Sequence, residues 1–119
     1  MSAPVVRSPV RKTLPYPDLR DVSVAAVLRV LGEPLRLGIV RALAQSDRPM
    51  NCSSFGLSCS KSTSTYHFKS LRESGVIIQF DVGTSRYSEL RDAALEERFP
   101  GLLTAILEAE EPAASAEKP

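Results

Sequence analysis

Two cysteines, Cys52 and Cys59, and one histidine, His67, are all that the chain has of either residue. A disulfide framework needs more thiols, and a structural zinc site needs four ligands at set spacing. Glycine is also scarce, six in 119 residues, with no cluster that could cradle a phosphate. No apolar run approaches the ~20 residues that cross a bilayer. The N-terminus lacks the apolar segment of a secretory signal. The expectation is a cytoplasmic chain with no membrane association, no metal site and no cofactor. No internal repeat is visible, and the length suits one domain with one core.

A net charge of +1 argues neither for nor against nucleic acid, but its distribution says more. Residues 1–20 carry four basic side chains against one acidic, residues 21–90 eight against six, and residues 91–119 three against seven. The positive charge therefore lies in the first three-quarters, and an acidic end cancels it.

Residues 1–17 hold Pro4, Pro9, Pro15 and Pro17 among scattered cations, without sustained period. This reads as a flexible N-terminal arm. Residues 111–119, acidic, alanine-rich and bounded by proline, read as a disordered tail. Between them, residues 18–110 read as the folded domain. Val24, Val27, Leu28 and Leu31 share one helical face, Gly32 stops that helix, and Pro34 suits the first turn of the next. In that second helix Leu35, Ile39, Val40 and Leu43 face inward, leaving Arg36 and Arg41 to point outward. A short third helix fits Cys52–Gly56, anchored by Phe55. After a tight turn, Ser60 caps a fourth helix that runs to Ser74 and ends at Gly75. The period then changes to two: Val76, Ile78, Phe80 and Val82 alternate with Ile77, Gln79 and Asp81 as in a half-buried strand. Gly83-Thr84-Ser85 turns the chain into a returning strand, Arg86–Leu90. A last helical region, about 92–110, contains Leu95, Phe99, Leu102, Leu103, Ile106 and Leu107, and Pro100-Gly101 breaks or kinks it. The fold class expected is mainly α with a small β-hairpin, in the order α-α-α-α-β-β-α, the layout of a winged helix-turn-helix.

The fourth helix carries the chemistry. With Ser64, Phe68 and Leu71 on the buried stripe, the opposite face holds Ser62, Thr65, Tyr66 and Lys69, flanked by Ser70 and Arg72. Short hydroxyls, an aromatic ring and cations suit a helix laid in the DNA major groove, where hydroxyls bond phosphates or base edges and cations neutralise phosphates. A helix meant only for water carries more Glu and Lys, because hydroxyl residues are poorer helix formers. The DNA-contacting set read from the sequence is Lys61, Ser62, Thr63, Thr65, Tyr66, Lys69, Arg72 and the hairpin's Arg86. No acid stands along the sequence to orient His67, so hydrolysis finds no catalytic set and no enzyme is expected.

These segments resemble the ArsR-type bacterial repressors. The resemblance rests on Leu31-Gly32-Glu33-Pro34-Leu35-Arg36-Leu37-Gly38-Ile39-Val40, on Ser60-Lys61-Ser62-Thr63 with His67-Phe68 and Leu71-Arg72-Glu73-Ser74-Gly75, and on the hairpin tip at Gly83. It spans roughly residues 22–107. It implies a transcriptional regulator of double-stranded DNA, repressing by steric block as a homodimer on a pseudo-palindromic operator. The recognition helix would be Ser60–Ser74, the wing Gly83–Arg86, and the dimer would be built from the first and last helices. The apolar residues Val24, Val27, Leu28, Leu31, Leu102, Leu103 and Ile106 support that dimer independently, since two such faces exceed what one small domain covers. A winged helix can also serve as a protein-interaction module without DNA, and this is the alternative class.

Many members of that family sense metals, and this sequence departs from their pattern. The closely spaced third-helix cysteines are represented by Cys52 alone. The last helix has Glu96, Glu97 and Glu108 but no histidine. Cys59 sits in the small apolar slot of the turn. A redox role for Cys52 as a thiolate near basic groups, a small organic effector between the dimer helices, and no effector at all stay open.

Overall fold

The computed structural model describes residues 10–57 and 59–109. The acidic tail expected over 111–119 and the first nine residues of the expected arm lie outside them. The described residues contain β1 (Arg11–Thr13), a 3₁₀ turn at Leu19–Asp21, α1 (Val24–Leu31), α2 (Pro34–Gln45), β2 (Met50–Asn51), a second 3₁₀ turn at Cys52–Phe55, α3 (Lys61–Glu73), β3 (Ile77–Val82), β4 (Ser85–Leu90), α4 (Asp92–Arg98) and α5 (Leu102–Glu108).

The helix ends follow local chemistry. Ser23 caps α1, accepting from the Ala26 amide at 3.1 Å. Glu33 caps α2, accepting from the Arg36 amide at 2.9 Å, with Pro34 in the first turn. Ser60 caps α3, its Oγ accepting from the Thr63 amide at 3.1 Å. The far end of α3 closes in a Schellman arrangement: the Gly75 amide reaches Arg72 O and the Val76 amide reaches Leu71 O, both at 3.0 Å. Gly75 takes φ +82° to do so.

The sheet is antiparallel, ordered β1-β3-β4-β2. The turn between β3 and β4 is the two residues Gly83-Thr84, since Val82 pairs with Ser85, and Gly83 supplies the positive φ that such a tip requires. Val27, Leu31, Ile39, Val40, Phe68, Leu71, Val76, Ile77, Leu95 and Leu103 form the core between the helices and one face of the sheet.

The element order differs from the expected α-α-α-α-β-β-α. The third helix is only a 3₁₀ turn, with a two-residue strand before it. The last helix is two, broken where Pro100-Gly101 was expected to break it, with Gly101 at φ +79°. The second half of the expected flexible arm is β1, paired as Arg11↔Val82, Lys12↔Asp81 and Thr13↔Phe80; its backbone bonds and the Arg11 guanidinium 3.7 Å from the Phe80 ring centroid hold a segment that has no apolar period. The buried face of β3 is also inverted. Ile77 and Gln79 face the core side, whereas Phe80 lies on the other face, stacked on Tyr87 at 5.6 Å and covered by Arg11. Finally, Arg36 and Arg41 do not point to solvent. Arg36 Nε donates to Val30 O at 2.8 Å, and Arg41 donates to Leu107 O at 2.9 Å and Ala109 O at 3.3 Å. There its charge meets the carbonyl end of α5.

Candidate nucleic-acid interface

α3 is held from behind by apolar and polar contacts that leave one side free. Phe68 and Leu71 are buried, with Phe55 edge-on to Phe68 at 5.2 Å between ring centroids. Tyr66 is 61% exposed, and Lys61, Ser62, Thr63, Thr65 and Lys69 are exposed with it. The expected outward face is thus the observed one. Thr63 is the partial exception, because its Oγ1 accepts from Ser60 Oγ at 2.9 Å and belongs to the cap.

Across from α3 stands the β3–β4 hairpin, and between them runs an open groove of roughly 1100 Å3. Lys61, Ser64, Thr65, Lys69 and Arg72 line it from the helix, and Asp81, Gly83, Thr84, Ser85 and Arg86 from the hairpin. Five cationic or hydroxyl side chains on one wall face one ion pair on the other. Arg86 Nε and Nη2 donate to the two Asp81 carboxylate oxygens at 2.7 and 3.1 Å. That guanidinium holds the Asp81 carboxyl below its ordinary value, with Lys12 and Arg72 adding to the effect.

Two further expected contacts have partners within the protein. Arg72 Nη1 donates to Gln79 Oε1 at 2.7 Å, so Arg72 stands on the groove floor rather than its rim. Gln79 is 1% exposed, and its amide donates to Ser88 Oγ at 3.2 Å and to Cys52 Sγ at 3.5 Å. Lys69 Nζ lies 3.9 Å from Glu73, an exposed pair of small energetic weight. Both cysteines are half-buried and line the groove; Cys52 Sγ is 3.4 Å from Ser88 Oγ.

Along the sequence no acid stands beside His67, but the fold brings one there. It is buried on the rear of α3 with Nδ1 3.7 Å from Glu33 and 3.5 Å from Arg36. Glu33 thus caps α2 and flanks α3 at once, and the coupling escapes a sequence reading because 34 positions separate the two residues. Among the described residues no three His, Cys, Asp or Glu side chains gather to hold a metal ion, and no helix is long and apolar enough to cross a membrane. Glu96 is engaged elsewhere, accepting from the Gly101 amide at 3.1 Å.

The residues expected at a dimer interface divide. Val27, Leu31 and Leu103 are buried within the chain, together with Leu95. Val24 and Leu28 are 44% and 48% exposed, and Leu102 and Ile106 are half-buried.

No sequence-family model matches the chain. It is 32% identical over 84 residues to an uncharacterized HTH-type transcriptional regulator, YceK, of Bacillus subtilis (strain 168), a match covering 69% of this chain and 84% of that protein. At that identity and coverage, the chain belongs to the HTH-type transcriptional regulators.

Proposed function

We propose that this regulator is a homodimeric repressor of the ArsR type that reads a pseudo-palindromic operator with α3 and braces itself with the β3–β4 hairpin as a wing. It performs no catalysis. The observation that carries the reading is the free side of a capped α3, with Ser62, Thr65, Tyr66 and Lys69 exposed beside a cation-lined groove. Ser62, Thr65 and Tyr66 take the base edges. Lys61, Thr63 and Lys69 take phosphates on the helix side, and Arg72 and Arg86 take them at the floor and the wing. The two half-sites then lie about 34–36 Å apart, one turn of the duplex. Residues 18–110 form the DNA-binding and dimerisation unit, and β1 joins it. Val24 and Leu28 of α1, with Leu102 and Ile106 of α5, are the surface for the second subunit. Cys52 is the candidate redox thiol, placed where oxidation would disturb Gln79 and with it Arg72.

The test is a gel shift of the full chain on DNA from its own promoter, repeated with Tyr66→Ala and Thr65→Ala. Each variant should lose about 1–3 kcal/mol of specific binding with its fold intact. Wild-type affinity in both would remove α3 as the reader. A wild type that binds no duplex but captures a protein partner would favour the interaction-module class.

A further inference from the structure

The N-terminal strand changes what the hairpin presents. Directly opposed residues of an antiparallel pair share a face of the sheet, and neighbours along a strand alternate. Lys12 is opposite Asp81, and Asp81 is opposite Arg86. These three therefore share one face, and it is the groove face, because Asp81 and Arg86 line the groove. Arg11 lies on the other face, flat over Phe80. This stacking, the three-residue register and the Leu14 amide bonded to Gln79 O at 2.9 Å fix which way Lys12 points. Both Asp81 oxygens already accept from Arg86, and Lys12 is exposed. The face thus holds Lys12, Arg86 and the nearby Arg72 around a single carboxylate, an excess of positive charge on the side where the groove opens.

We infer that β1 is the third strand of the nucleic-acid interface, with Lys12 binding a phosphate of the DNA backbone beyond the one reached by Arg86. The inference rests on the DNA reading above. It adds a contact at the far side of the hairpin, so the bound duplex runs across β4 and β3 onto β1. The contact carries no base information; it sets affinity and its salt dependence.

Fluorescence anisotropy of the full chain on a mixed-sequence duplex across a salt series tests it, comparing wild type with Lys12→Gln, Lys12→Arg, Lys69→Gln and Arg48→Gln. Arg48 is an exposed cation outside the groove. The plot of log affinity against log salt should become shallower by about 0.9 in Lys12→Gln and in Lys69→Gln. Lys12→Arg should keep the wild-type slope, and Arg48→Gln should leave it unchanged. A wild-type slope in Lys12→Gln beside a shallower one in Lys69→Gln overturns the role of β1 and leaves the DNA reading standing. An equal loss in Lys12→Gln and Arg48→Gln also overturns it, because net charge alone would then explain both. A wild type that does not bind the duplex at low salt overturns both readings.

Discussion

Among the glycines, Gly75 is the one whose neighbours leave no room for a side chain. A Cβ there would stand 2.6 Å from Leu19 Cδ2, at a φ of +82°, and Leu19 is itself buried. Gly75→Ala should therefore lower stability by about 1–2 kcal/mol from the left-handed backbone alone, and further as Leu19 is displaced. Urea unfolding should show an earlier midpoint at an unchanged slope; a wild-type midpoint would mean that the turn relaxes at little cost. Gly75 and Ser60 were legible in the sequence because a cap and a left-handed stop are decided within a few residues. The arginines were not. Arg41 bonds carbonyls 66 and 68 positions away, Arg36 and Arg72 bond Val30 and Gln79 on the adjoining element, and helical periodicity says only which way a Cα–Cβ bond starts out.

The hairpin shows the same division. Its existence, its tip at Gly83 and its place after α3 could be read from alternation and one glycine, but its inner face could not. Gln79 is polar and buried while Phe80 is apolar and covered from outside, so hydrophobic alternation pointed to the wrong side. β1 was illegible for a related reason: Arg11-Lys12-Thr13 has no apolar signal, and only the strand edge it pairs with makes it a strand. The Asp81–Arg86 ion pair offers a direct prediction. Asp81→Asn removes a negative charge from the groove, so affinity for any duplex should rise. Unchanged binding would place the hairpin away from DNA. The sign of the pH effect follows from the lowered Asp81 carboxyl. The ion pair's stabilisation is fully present above the ordinary carboxylate value of 3.8, and it is lost as pH falls through the depressed one. Binding near neutral pH should therefore not vary on its account.

For the molecule as a whole, exposure divides the apolar residues assigned to the proposed dimer. Sequence alone grouped Val27, Leu31 and Leu103 with Val24 and Leu28, since a helical wheel does not show that α4 and α5 fold back over α1. Leu28→Arg should yield a folded monomer that binds operator DNA weakly, whereas Val27→Arg, at a site 1% exposed, should fail to fold. Sedimentation and far-ultraviolet circular dichroism separate these outcomes; a wild type monomeric at micromolar concentration would contradict the dimer. Arg91 and Arg98, in the last third of the chain, also reach back to the turn after β1. Arg91 donates to Pro17 O at 3.0 Å, and Arg98 to Leu19 O at 3.0 Å and Val22 O at 3.1 Å, across 74 to 79 residues. Arg98→Ala should cost about 1 kcal/mol, appearing as faster unfolding with little change in refolding rate, as for contacts made after the transition state. During synthesis these carbonyls wait for partners that emerge 74 to 79 residues later. Until Arg91 and Arg98 emerge, the turn that follows β1 lacks its tether, and only the backbone bonds of β1 and the Arg11–Phe80 stacking keep the edge of β3 covered against another nascent chain.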